Sequence, residues 1–231
     1  MPVIELQDAG VAVAAPDGER TILAPTSLTL TEHRVGLIGG NGSGKSTLAR
    51  LLNGLVTPSC GRVLVDGLDV ARAGARVRRR VAFSFTDPAA QLVMPTCVED
   101  VELSLRRQVR DPRERRRRAL EVLDRHGLGA HADVSVHALS GGQKQLLALA
   151  GVLATEPAVL VADEPTTLLD LANTRRVGDL LLGLPQQLVL VTHDLDLARR
   201  CDRVLVVADG AVTYDGPAAA AVDHYLATAG A

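Results

Sequence analysis

A chain of 231 residues that is 47% hydrophobic can bury one sizeable core, and its formal net charge of −2 gives no overall pull toward nucleic acid. Only 2% of the residues are aromatic, so that core has to be built from Ala, Val and Leu. Cys60, Cys97 and Cys201 form no C-x-x-C pair, no apolar run reaches the ~20 residues of a membrane span, and no secretory leader precedes the first strand; a reduced, cytoplasmic chain is expected.

In chain order, the first predicted elements are short hairpin-like strands, VIEL, VAVAA and SLTLT, which make an N-terminal antiparallel β subdomain. RVGLIG follows as a nearly continuous apolar run, the pattern of a strand buried on both faces; RVAFSF, AVLVAD and QLVLVT repeat it further on. Helical stretches separate these runs, so the expected class is α/β with a mostly parallel sheet wrapped by helices. RVAFSF ends in a break at Thr86-Asp87-Pro88. Residues 98–140 are helical and arginine-rich without a strong strand, and read as an α-helical subdomain within a single domain spanning 1–231. Eight arginines fall between Arg106 and Arg118, where Asp111, Pro112 and Glu114 have the order of an N-cap, a first-turn proline and an early acid. Leu120, Leu123 and Leu128 are expected to face inward, leaving the arginines as a solvated face or a contact for anionic lipid headgroups. A late ribbon turns at Asp209-Gly210.

Open parallel sheets bind ligands beyond the carboxyl ends of their strands, so the strand ends carry the chemistry. After RVGLI comes GGNGSGKST, Gly39 to Thr47, which matches G-x-x-x-x-G-K-[ST] and opens a helix. This is the phosphate-binding loop of a P-loop NTPase: Gly39, Asn41, Gly42, Ser43, Gly44 and Thr47 frame backbone N–H groups turned toward one anion, Lys45 reaches the terminal phosphates, and the Ser46 hydroxyl ligates magnesium. Lys45 and Lys144 are the only lysines among twenty-five basic residues, as befits a site where a compact ammonium must fit among phosphate oxygens. After AVLVA come Asp163 and Glu164; consecutive strand residues point opposite ways, so one carboxylate can hold magnesium while the other reaches an attacking water. After QLVLVT comes His193, a third polar residue at a strand end.

LSGGQKQLLALAGVL adds a second anion-facing surface. Ser140 and Gln143 have the spacing of a capping box for a helix with Leu146, Leu149, Ala150 and Leu153 on its apolar side. Gly141 and Gly142 in its first turn cost about 0.5 to 1 kcal/mol each relative to Ala, which makes sense where a ligand approaches the backbone closely. Two phosphate-facing surfaces on one chain are reconciled by a two-fold dimer that sandwiches each nucleotide between unlike surfaces.

Together, GGNGSGKST, LSGGQKQ, VLVADEP, TTLLD and VTHD resemble the Walker A, signature, Walker B, D-loop and switch-histidine motifs of ATP-binding cassette ATPases, over nearly the whole chain. The resemblance implies that Lys45, Ser46 and Asp163 hold MgATP, that Glu164 is the general base, that His193 contacts the γ-phosphate, that Ser140 to Gln143 serve the partner's nucleotide, and that Asp170 lines the dimer interface. Within that superfamily, LLNGLVTPSCGRVLVDGLDV and DPAAQLVMPTCVEDV resemble the ATPase subunits of energy-coupling factor importers, and the FTDP variant followed by AQLVMPT is most similar to those of biotin importers. It implies a homodimer or heterodimer of ATPase subunits at the cytoplasmic face of the membrane, beneath a membrane-embedded coupling subunit and a substrate-binding subunit, with no nucleic acid partner. A cobalt or nickel importer and a soluble, non-transport cassette ATPase are the alternatives. Two departures stand out: Val11 to Ala15 offers no aromatic ring for adenine, and Thr86 occupies the place of the usual glutamine, so that it acts on the metal through a bridging water or leaves that coordination place open. Gln91 to Val101 is expected to form the docking surface for the membrane partner, against the alternative that Thr86-Asp87-Pro88 is a simple strand-ending turn.

Overall fold

The computed structural model describes residues 1–16 and 18–228. In chain order the elements begin with β1 (Ile4–Ala15), β2 (Gly18–Leu30), β3 (Arg34–Ile38), α1 (Lys45–Leu51), β4 (Cys60–Val65), β5 (Leu68–Asp69), α2 (Gly74–Arg80), β6 (Val81–Ser84), α3 (Cys97–Leu105) and α4 (Pro112–Arg125). They continue with α5 (Gly141–Leu153), β7 (Val159–Asp163), α6 (Leu171–Leu182), β8 (Gln187–Val191), α7 (Leu195–Ala198), β9 (Arg203–Ala208), β10 (Ala211–Pro217) and α8 (Ala218–Thr228). Two compact units share them: Met1–Phe83, Ala158–Glu164 and Leu181–Ala231 form one, Ser84–Pro157 and Pro165–Leu180 the other.

The first unit holds the strands. A four-stranded sheet runs β2-β1-β4-β5 with antiparallel pairs, and a six-stranded sheet runs β10-β9-β3-β8-β7-β6. In the larger sheet β3 lies parallel to both β8 and β9, and β7 parallel to β8, while β10 returns antiparallel on β9 through the Asp209-Gly210 turn. Every residue of β3, β7 and β8 is buried, as their unbroken apolar runs require of strands covered on both faces. Ile4, Leu23, Leu37, Ile38, Leu48 and Leu51 are among the largest fully buried side chains, so the core is aliphatic.

The N-terminal strands differ from expectation. VIEL and VAVAA are one strand, β1, whose register against β2 shifts between Leu6 and Ala9. The bulge is fastened locally: Asp8 takes a φ of 47°, its N–H donates to Ser27 Oγ at 2.8 Å, and Ser27 Oγ donates back to Asp8 Oδ1. One extra residue is thereby absorbed without ending the strand.

In the second unit α4 starts as its sequence predicts: the Asp111 side chain accepts from Glu114 N at 2.8 Å and Pro112 opens the first turn. Ala119, Val122 and Leu123 are buried on it and Leu128 just beyond, whereas Leu120 is only half-buried. Its outer face is a solvated ion-pair lattice, with Arg117 and Arg118 on Glu114, Arg117 also on Glu121, and Arg116 on Asp133. No helix of the described residues is long and apolar enough to cross a membrane.

Candidate nucleotide site

The loop after β3 is shaped by glycines that nothing else can replace. Gly39 has a φ of 149° and a Cβ there would fall 2.0 Å from the Val207 carbonyl oxygen; Gly44, with a φ of 103°, would put one 2.9 Å from the Ile22 oxygen. From behind, Gly210 N donates to Ser43 O at 2.9 Å and Ala24 N to Gly210 O at 2.7 Å, so the β9–β10 turn and β2 hold the loop in place. Its front is open: nothing lies near the Cα side-chain direction of Gly40 or Gly42, Asn41 is exposed, and the buried Ser43 hydroxyl has no hydrogen-bond partner among the described residues. Lys45 folds its ammonium onto the loop, donating to Gly39 O at 2.9 Å and Gly40 O at 2.7 Å. Burial pushes its pKa down, while the Glu164 and Asp163 carboxylates pull it up.

The β7 end meets α1 through its carboxylate. Asp163 is 1% exposed; its Oδ1 accepts from Ser46 Oγ at 2.8 Å, and its Oδ2 lies 3.4 Å from Arg50 Nη2. Ser46 and Arg50 are one turn apart on α1, so a single helix face clasps both carboxylate oxygens; Thr47 follows Ser46, half-buried. Glu164 is oriented by a means other than strand alternation. β7 ends at Asp163, and Glu164 turns away in the left-handed region with a φ of 53° while its N–H donates to Val191 O at 3.0 Å. That turn aims the carboxylate at the end of β8, where His193 Nε2 lies 3.1 Å from Oε1 and His193 N donates to Oε2 at 3.3 Å. Lys45, Ser46, Asp163, Glu164 and His193 thus belong to one constellation in the first unit.

In the second unit the capping box stands as its spacing predicts, with Ser140 Oγ accepting from Gln143 N and Gln143 Oε1 from Ser140 N. Gly142, however, is glycine for a reason other than ligand approach: a Cβ there would fall 2.5 Å from the Asn173 side chain. Gly141 faces open space, with only Leu168 O at 3.8 Å. Asn173 in turn donates from its backbone N to Asp170 Oδ1 at 2.8 Å and from Nδ2 to Oδ2 at 2.9 Å, bonds that lower the Asp170 pKa. Ser140, Gly142, Asn173 and Asp170 are therefore one assembly. Thr86 also belongs to this unit and is half-buried. The break after it is a capped turn: Asp87 accepts from Ala89 N at 2.9 Å, Pro88 opens the turn Pro88–Ala90, and Gln91 ties it to α5 by donating from Nε2 to Ala148 O at 2.8 Å.

Sequence reasoning missed Arg50, Asn173 and His131, whose Nε2 lies 3.1 Å from Gln143 Nε2. The four-residue step from Ser46 to Arg50 was a usable signal, because it places both on one helix face; the others act across turns that carry no periodicity.

Residues 23–167 match the family model described as ABC transporter. A putative ABC transporter ATP-binding protein of Deinococcus radiodurans is 51% identical, over 90% of this chain and 92% of its own. The biotin transport ATP-binding protein BioM of Rhizobium etli is 43% identical over 96% and 97%, and the methionine import ATP-binding protein MetN of Caulobacter vibrioides 42% over 93% and 67%. Among solved structures, a dimeric post-hydrolysis ATP-binding cassette bound to ADP and Pi superposes with a TM-score of 0.84 at 30% identity, over 93% of this chain and 98% of that one. The cbiO1 protein of Clostridium perfringens, part of the ABC transporter complex cbiONQ, does so at 0.81 and 31%, over 98% and 91%.

Proposed function

Because the chain belongs to the ABC transporter family of ATPases, we propose that it is the ATP-hydrolysing subunit of an energy-coupling factor importer, with biotin as cargo. ATP binding and hydrolysis follow from the family. The observation that carries the finer reading is the near end-to-end likeness to BioM, and the cbiO1 likeness supports a membrane complex of that kind. We assign the chain one nucleotide-binding domain over 1–231 with a helical subdomain about 98–140, peripheral to the cytoplasmic face of the membrane, in a dimer of ATPase subunits under coupling and substrate-binding subunits.

The residues fit a phosphate chain and one magnesium ion: an orphaned buried hydroxyl at Ser43 and two glycines open to the front suit the anion, and the Ser46 hydroxyl with the Asp163 carboxylate is a hard oxygen pair suited to magnesium. Bound magnesium supplies positive charge to the phosphate oxygens. Lys45, which donates to the Gly39 and Gly40 carbonyls, exchanges them for phosphate oxygens. Glu164 accepts the proton of the attacking water, its Oε2 held by the His193 backbone N–H at 3.3 Å, and His193 Nε2, 3.1 Å from Oε1, contacts the γ-phosphate. Ser140 to Gln143 serve the nucleotide bound by the partner subunit, and Asp170 lines the dimer interface. Thr86 to Val101 links nucleotide state to the membrane subunits, with Val93, 67% exposed, as its apolar contact.

Co-purification of the chain with its membrane partners, followed by mass spectrometry of the bound small molecule, tests the cargo. Biotin released on ATP hydrolysis is expected; a cobalt or nickel ion, methionine or another vitamin overturns that assignment, and absence of any membrane partner overturns the importer.

A further inference from the structure

Gln143 caps α5 with a fixed polarity. A backbone N–H can only donate, so the Gln143 atom 2.8 Å from Ser140 N is the amide oxygen. The amide nitrogen then points the other way, 3.1 Å from His131 Nε2. An amide NH2 offers only hydrogens, so Nε2 must present its lone pair, which places the ring proton on Nδ1. Nδ1 is buried without a hydrogen-bond partner among the described residues, so Gln143 alone selects the tautomer. The backbone fixes the ring's position: His131 N donates to Leu128 O at 2.9 Å and His131 O accepts from Val134 N at 3.0 Å.

We propose that His131 is a positioning residue for the helix that begins at Ser140: its imidazole, with the proton on Nδ1, anchors Gln143 in the capping orientation. Without an acceptor 3.1 Å from its nitrogen, the Gln143 amide loses its far-side partner, and turning it withdraws the oxygen from Ser140 N and opens the cap. The consequence for hydrolysis rests on the reading of Ser140 to Gln143 as a nucleotide-facing surface; the tautomer does not.

Two measurements on the full-length chain test it. Long-range 1H–15N spectra at about pH 8 should show His131, assigned by its loss in His131→Gln, protonated on Nδ1. In His131→Gln the side-chain oxygen can accept the same hydrogen bond, whereas His131→Lys offers only donors, so His131→Gln should hydrolyse ATP severalfold faster than His131→Lys. An Nε2–H tautomer, or His131→Lys hydrolysing ATP as fast as His131→Gln, overturns the proposal. Should the chain hydrolyse no ATP at any pH, the nucleotide reading falls, and the tautomer alone upholds or overturns the His131–Gln143 contact.

Discussion

Glu164 combines a carboxylate at the end of a buried sheet with a backbone that L-residues rarely adopt, and the turn is what delivers it to His193. Glu164→Gln keeps the shape and the left-handed turn but cannot take a proton, so hydrolysis should fall on the order of a hundred to ten thousandfold while ATP still binds. Phosphate release and equilibrium nucleotide binding, measured side by side, decide it; near-normal turnover would remove Glu164 as the base. Lys45→Ala should show the opposite pattern, because its ammonium is the cation in the loop and nucleotide affinity is lost before chemistry. The cysteines separate just as sharply. Cys60 is exposed, whereas Cys201 is buried and its thiol is pushed up to about 12 by desolvation, with Asp202 adding to the shift. A maleimide should label Cys60 in the native chain and leave Cys97 and Cys201 until the chain unfolds. The folded state binds the Cys201 proton more tightly than the unfolded chain does, so its contribution to stability is full below the ordinary thiol range and is lost as pH rises toward about 12. Alkaline unfolding that is insensitive to Cys201→Ala in that window would contradict it.

At the level of elements, what could be read in advance was what is local. Three strands buried on both faces announce themselves as unbroken apolar runs, and the caps of α4 and α5 by residues three apart. β1 could not be read, because the Asp8–Ser27 fastening that carries it through the bulge joins residues nineteen apart. The aim of Glu164 was equally hidden, being set by a φ that no alternation rule yields. Gly142 is the instructive case: its cost in a helix was legible, but the cause, Asn173, comes from another element. The two glycines should therefore respond differently to alanine. Gly141→Ala meets only ordinary contact and gains up to ~1 kcal/mol of helix propensity. Gly142→Ala gains the same but drives the Asn173 amide from Asp170, and the close contact with the lost hydrogen bond should make the net change a loss. Urea unfolding of the two variants should move in opposite directions; a shared direction would show that Asn173 swings aside freely. Nucleotide turnover in Gly141→Ala should nonetheless fall, since its open face is the one proposed to meet the partner's nucleotide.

For the whole molecule, the question is how hydrolysis in the first unit is tied to movement of a cargo. We propose that the link runs through the turn from Thr86 to Gln91, which is capped by Asp87, fastened to α5 through Gln91 and followed by the exposed Val93. Where the resemblance places a glutamine, Thr86 carries a hydroxyl two atoms nearer the backbone, roughly 2.5 Å short at ordinary bond lengths, so its influence on the metal would run through a water. Such a link is weaker and more easily broken than direct coordination, which makes it separable from catalysis. Thr86→Val removes the hydroxyl at nearly constant shape. ATP affinity and the hydrolysis rate of the isolated chain should stay within about twofold of wild type, because Lys45, Asp163 and Glu164 are untouched and such a change is under ~0.5 kcal/mol. In the complex assembled with its membrane partners in vesicles, cargo taken up per ATP hydrolysed should drop severalfold. Equal stoichiometry in the variant and the wild type would leave Thr86 as a turn residue and move the coupling role to Gln91 and the segment after it.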